Sequence, residues 1–238
     1  MINFFVSKIL NFFDYFHKNK IIEKIKQIDK KQNFKIIFDI GGHRGESIEL
    51  FLKNFKVQNI YSFEPSELNF KVLLKTKATL KKKFQDINIF LENCAVGNSN
   101  KNVELNYLNE TSSSTIRSLN IDSKYFKKKE KFFGKLINKK YQVTQINFKE
   151  YLEKKKINQI DLLKIDTEGY EFEVLKGLKD SINIVSIIIF EHHYDNMIIK
   201  DYTFSDIHDL LINNGFQKIY KIKMPFRKSF DYIYKKNK

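Results

Sequence analysis

Acidic and imidazole side chains fall at the ends of apolar runs in this chain, and their types suit proton transfer. Phe190-Glu191-His192-His193 closes the most apolar run, placing an acid and two imidazoles at one strand end. Near pH 7 a histidine is the side chain best matched to removing a hydroxyl proton. A surface loop is the plainer reading of either histidine. The stretch Asp166-Thr167-Glu168-Gly169-Tyr170-Glu171 packs three carboxylates around another strand end, and such crowding raises a pKa or binds a cation. A salt-bridged helix cap accounts for Glu171 equally well. No metal is expected; the minority arrangement, hard oxygen ligands suited to Mg²⁺, is Asp166, Glu168 and Glu191.

A second group of residues suits ligand binding. In Phe38-Asp39-Ile40-Gly41-Gly42-His43-Arg44-Gly45-Glu46 an apolar run enters a glycine turn that opens a helix, which lets backbone N–H groups approach a ligand closely. The spacing D-x-G-x-x-x-G departs from the G-x-G-x-x-G of dinucleotide sites. Glu64 follows Asp39 by 25 residues, near the distance at which an acid after the second strand meets ribose hydroxyls. Together these point to a nucleoside-type ligand, with a glycine-rich turn and an acidic cap as the structural alternative. Asn93, in Glu92-Asn93-Cys94-Ala95-Val96-Gly97, is placed against an adenine edge or in a polar loop.

The elements that must position these residues follow from periodicity. Large apolar residues recur at helical spacing from Ile2 through Phe5, Ile9, Phe12 and Phe16 to Ile21, Ile25 and Ile28, predicting an amphipathic helical extension over residues 1–33. From residue 34 onward β-rich runs alternate with helical ones. Strands are expected at 34–40, 59–63, 87–91, 103–108, 141–146, 160–165 and 184–190, the last at the sheet centre. Helices are expected at 46–55, 66–81 with Ser66 as N-cap, 148–155, 171–178 and 205–213, and 216–223 with 230–234 forms a terminal antiparallel pair. The lysine-rich 124–140 is the expected lid or substrate region. The pattern predicts an α/β domain over 34–238: a mostly parallel sheet with helices on both faces.

Composition narrows the function classes. With 42% hydrophobic and 30% charged residues over 238 positions, global disorder is excluded. Cys94 is the only cysteine, which excludes a disulfide framework and a cysteine zinc cluster and fits a reducing, cytoplasmic setting. The run around Ile184–Phe190 is far shorter than the roughly 20 residues of a membrane span. Met1–Phe16 has neither a basic leader nor a small-residue cleavage site, which makes it a poor signal peptide. There are 43 Lys+Arg against 28 Asp+Glu, a net charge of +15, but the only arginines are Arg44, Arg117 and Arg227. Phosphate and guanine recognition favours Arg, and Lys, Asn and Ile together follow A/T-rich codons. A nucleic-acid partner is therefore not expected.

The set FDIGGHRGE, YSFEPSELNF, ENCAVG, DLLKIDTEGYEFEVLKG and IIIFEHH, in that order, resembles the FkbM-type methyltransferases. The resemblance spans roughly 34–235 and is most specific in KIDTEGYE with its following VLKG. It implies a class I methyltransferase (Rossmann-like) fold, S-adenosylmethionine as cofactor, and O-methylation of a sugar, glycan or related small molecule. It further implies that Asp39, Gly41 and Gly45 shape the methionine side of the cofactor site, that Glu64 holds the ribose, and that Asp166 and Glu168 lie beside the reacting centre. With Gly42, Asn93 and Ala95 from the same motifs, these form the expected cofactor set. His192 is the expected general base, with Asp166 or Glu191 orienting it or holding acceptor hydroxyls. One rival is a nucleic-acid methyltransferase, disfavoured because no Asn/Asp-Pro-Pro-Tyr/Phe element is present and no proline precedes Cys94. The other is a non-catalytic module that binds a cofactor or rests on a membrane surface through residues 1–30, against which stands packing of that helix on the core.

Overall fold

The computed structural model describes residues 2–109 and 111–237, with side chains from Phe13 onward except at Thr111. In chain order the elements are helix α1 (Ile2–Ile28), β1 (Asn33–Ile40), α2 (Glu46–Asn54), β2 (Lys56–Phe63), α3 (Glu67–Lys83), β3 (Asn88–Glu92), β4 (Ala95–Gly97), β5 (Lys101–Leu108), α4 (Lys124–Phe133), β6 (Asn138–Asn147), α5 (Phe148–Lys154), β7 (Ile160–Ile165), α6 (Glu171–Leu178), β8 (Val185–His193), α7 (Phe204–Asn213), β9 (Phe216–Lys223) and β10 (Ser229–Lys236). Ser66 caps α3 as expected, its hydroxyl accepting the Asn69 N–H.

Seven strands form one sheet in the order β3-β2-β1-β7-β8-β10-β9. The first five are parallel, and β10 runs antiparallel to both β8 and β9. Winding reverses between β1 and β7, where Asp39 pairs with Lys164 and Ile40 with Ile165. In open α/β sheets the ligand crevice lies outside the carboxyl ends at such a reversal, so the topology alone sets the site beside Gly41 and Asp166.

Each face of the sheet has its own core. Ile37, Ile60, Leu162 and Ile189 pack under α1, α2 and α3 through Ile22, Ile25, Ile48, Phe51 and Leu73. On the other face Phe38, Phe63, Ile165 and Phe190 pack with Phe148, Leu152, Val174, Leu178 and Ile207 of α5, α6 and α7. Helices thus cover both faces, and no described helix is long and apolar enough to cross a membrane.

The structure differs from the sequence expectations in several places. The apolar run expected at the sheet centre forms β8, but the middle position belongs to β7 because β10 and β9 extend the sheet beyond β8. An unbroken apolar run reports two covered faces rather than rank within a sheet. The lysine-rich 124–140 divides into α4, capped by Ser123, and the start of β6. A second sheet, β4-β6-β5, was not expected; the three residues of β4 are too few to show a period. The N-terminal extension is one helix, and Ile22 and Ile25 put it into the core; Ile2, Phe5, Ile9 and Phe12 lie outside the described side chains. Because Ile25 is fully buried, Ile25→Ala is expected to cost about 2–5 kcal/mol in urea unfolding, whereas a free-standing extension would leave the midpoint unchanged.

Candidate active site

The loop after β1 is held by backbone bonds across three strands. Gly41 and Gly42 both donate N–H to the Phe63 carbonyl, and Asp166 donates to Ile40 O. Gly41 has φ +86°, and a Cβ there would lie 1.9 Å from the Asp166 carbonyl oxygen, so only glycine lets the ends of β1 and β7 meet. Gly45, at φ +95°, does different work: its hydrogen faces Thr76 and Leu73 of α3, where a Cβ would lie 2.8 and 3.0 Å away. It seats the loop on α3 and does not line the cavity described below.

Glu64 ends β2 in a buried position. Its Oε2 accepts the His43 N–H and its Oε1 the Ser66 N–H, each at 2.9 Å. Burial outweighs those bonds and pushes its carboxyl up to about 7. Asn93 donates its amide to the carbonyls of Glu64 and Pro65. It braces the end of β2 and does not line the cavity, which corrects its expected contact with a base.

Asp39, expected among the cofactor residues, is fully buried beneath the loop and has no face on the cavity. Its carboxylate accepts bonds from Ser62 Oγ at 3.1 Å and Lys164 Nζ at 3.0 Å. Lys164 also reaches the Gly41 carbonyl at 3.2 Å and Asp166 Oδ2 at 3.4 Å. Burial opposes the ammonium charge, yet the two carboxylates hold its pKa above that of a free lysine. Sequence reasoning passed over Lys164, although a lysine inside the apolar run Ile160–Ile165 was a visible signal.

Beyond Asp166 lies a second charged cluster. His193 Nε2 is 3.2 Å from Glu168 Oε2 and 3.3 Å from Glu191 Oε1, and its Nδ1 is 3.6 Å from Asp195 Oδ2. Burial disfavours its charge, but the three acids overcome that and raise the imidazole to about 10. Burial pushes Glu168 up to about 7 and Glu191 up to about 8. Asp166 is held below the usual carboxylate range: burial opposes this, and Lys164 and His193 prevail. Glu168 sits at φ +52°, fixed there by Thr115 Oγ1 donating to its carbonyl and by Glu171 accepting the N–H groups of Thr167 and Gly169. Glu171 is therefore a brace for this loop.

Strand alternation turns His192 to the opposite face from Glu191. Its ring packs against Tyr194, Tyr202 and Phe204, burial pushes it down to about 3, and it does not line the cavity. The general-base assignment to His192 is corrected on this placement. Among the described residues no three His, Cys, Asp or Glu side chains converge as metal ligands, so Asp166, Glu168 and Glu191 do not form the cation site weighed from the sequence.

The loops enclose a cavity of about 780 Å³, within the usual range for small-molecule sites. Its contents follow the strand order. Glu64, Ala95 and Val96 line the β2–β3 end, Gly41, Gly42 and Asp166 the middle, and Glu168, Glu191, Arg227 and Asp231 the β8–β10 end. Helix α1 forms a wall through Tyr15, His17 and Lys18. His17 Nε2 is 2.5 Å from Asp231 Oδ2, and Arg227 is 3.5 Å from Asp14. These four were not found from sequence, since they meet across more than 200 residues.

A parallel sheet with this reversal, a glycine loop after β1 and an acid at the end of β2 is the class I methyltransferase fold. It is seen in methyltransferase FkbM from Methylobacillus flagellatus KT, 14% identical over 85% of this chain and 44% of that one, at a TM-score of 0.55. It is also seen in magnesium protoporphyrin IX methyltransferase from Synechocystis PCC 6803 with bound SAM, 12% identical over 98% of this chain and 84% of that one, again at 0.55. At those identities the likeness shows the fold, and the chain spans less than half of the Methylobacillus protein. The family model of the methyltransferase FkbM domain matches residues 39–218, and the chain belongs to that family. No curated protein matches it.

The His193 cluster predicts a pH dependence of stability. Folded His193 keeps its proton up to about pH 10 against 6.5 for a free imidazole. The folded state then holds more protons than the unfolded chain between those values, and stability falls as pH rises through them. Glu168 and Glu191, both raised, act in the same direction at the lower end. The thermal midpoint is expected to drop across this window, and His193→Gln should flatten the slope.

Proposed function

We propose that this chain is an S-adenosylmethionine-dependent O-methyltransferase acting on a hydroxyl of a sugar, glycan or related small molecule. The residues of the cavity fit the cofactor. Each Glu64 oxygen takes one backbone N–H and keeps a lone pair for a ribose hydroxyl. Cys94, Ala95 and Val96 offer an apolar slot beside it for the base. Asp166, held ionised next to Gly41, suits the cationic methionine portion. The cofactor supplies a methyl group on a sulfonium, already activated for displacement by an acceptor oxygen.

The acceptor end carries the assignment of the base. Glu191 lines the cavity beside the His193 imidazole, which stands 3.3 Å from its Oε1. A carboxylate has more lone pairs than that one contact uses, and an acceptor hydroxyl would donate to one of them. The neighbouring His193 imidazolium favours the ionised form of Glu191, which takes the hydroxyl proton as the oxygen attacks. Glu168, which also lines the cavity, accepts a bond from a further hydroxyl, which favours a polyhydroxylated acceptor. A carboxyl raised to about 8 is matched to this task near neutral pH.

Titration calorimetry with S-adenosylhomocysteine is expected to show binding that Glu64→Ala weakens; no binding to folded protein would defeat the cofactor reading. With an acceptor in hand, Glu191→Gln should lower kcat by about 10²–10⁴-fold and remove a rise in rate centred near pH 8. His192→Ala should retain kcat within a few-fold, and the reverse pattern would return the base to His192.

A further inference from the structure

We infer that α4 and the turn that follows it form a docking face for an anionic membrane surface. The expectation from sequence placed membrane contact on residues 1–30; Ile22 and Ile25 of α1 pack into the core, while Tyr15 and Phe16 of the same helix are exposed. A second set of exposed apolar groups lies on and after α4. Phe132, Phe133 and Ile137 are 41, 43 and 52% exposed, in a stretch where only Leu136 is buried between Lys131 and Lys140. Lys124, Lys128, Lys131 and Lys135 surround them, all exposed. Of the neighbouring acids, Asp122 is paired with Lys127 at 3.2 Å, and Glu130 accepts the Leu136 N–H. The face is thus cationic as well as apolar.

Helix α4 lies against α1. Phe133 and the exposed Tyr15 of α1 line the same cavity, and Phe226, also exposed, packs edge-on against Phe13 with ring centroids 4.9 Å apart. Phe133 and Tyr15 therefore bring one edge of this apolar surface to the cavity. Aromatic and aliphatic side chains ringed by ammonium groups suit a headgroup layer, where rings enter the acyl boundary and lysines meet lipid phosphates. Single-stranded nucleic acid suits the face less well. Ile121 and Ile137 have no π-face for base stacking, and no arginine lies in this stretch. Docking does not depend on the reaction performed in the cavity.

The test is co-sedimentation of the full chain with phosphatidylcholine vesicles, with and without phosphatidylglycerol. Pelleting is expected only with the anionic vesicles and should fall as salt is raised. The triple variant Lys128→Glu, Lys131→Glu, Lys135→Glu is expected to bind roughly 100-fold more weakly or worse. Phe132→Ser with Ile137→Ser should also weaken binding, and thermal melting would confirm that both variants fold. No pelleting with anionic vesicles overturns the inference, as does pelleting that neither variant reduces. Binding of single-stranded RNA that needs the lysines but not Phe132 and Ile137, without vesicle binding, would assign the face to nucleic acid instead.

Discussion

The ammonium of Lys164, half-buried between Asp39 and Asp166 where the sheet reverses its winding, is the interaction on which the site depends. The fully buried Asp39 carboxylate needs that partner, because an unpaired buried charge is strongly destabilising. Asp39 fixes the lysine from below, at 3.0 Å, while Ser62 of the neighbouring strand holds Asp39. The lysine in turn holds the Gly41 carbonyl and the Asp166 carboxylate. One cation therefore sets the relative height of β1, β2 and β7 at their carboxyl ends. Gly41 completes the arrangement because any side chain there would strike the Asp166 carbonyl.

From that point the two ends of the cavity are built differently. The Glu64 end is local: a strand end, two backbone N–H groups and an Asn93 brace, all within residues 41–96. The Glu191 end is assembled from distant pieces, with α1 on one side and β10 on the other. Both lie outside residues 39–218, where the family model matches. His17 and Asp231, bonded across that gap, are the means by which the chain's own termini close a site whose floor belongs to the family.

The charged cluster at the β8–β10 end of the cavity shows why proton affinity there is not a property of single residues. Glu168, Glu191 and Asp195 all face one imidazole, in a region sealed by α1 and the loop at Thr115. Desolvation raises Glu168 and Glu191, the imidazole holds Asp195 low against its burial, and the three acids raise the imidazole, so His193, Glu168 and Glu191 retain protons that each would lose in water. The positive φ of Glu168 is maintained by Thr115 and Glu171. These two residues set the position of the Glu168 carboxyl in the cluster.

The sequence by itself determined the α/β alternation, the glycine loop at the carboxyl end of β1, and the positions of Glu64, Asp166 and Glu191 at or just beyond strand ends. Each depends on local periodicity or on residues within one strand-loop-helix unit, where spacing fixes geometry. It also held a readable sign in Lys164, a lone charge in an apolar strand. Tertiary structure alone decided that His192 faces away while Glu191 faces the cavity, because the alternation of a strand buried on both faces gives no clue to which face carries the site. It alone made β7 central and formed the short β4 into a second sheet, since strand order follows from pairing across the whole chain. And it alone brought His17 to Asp231, because their meeting depends on α1 packing across β1 and on β10 inserting between β8 and β9, not on any local spacing.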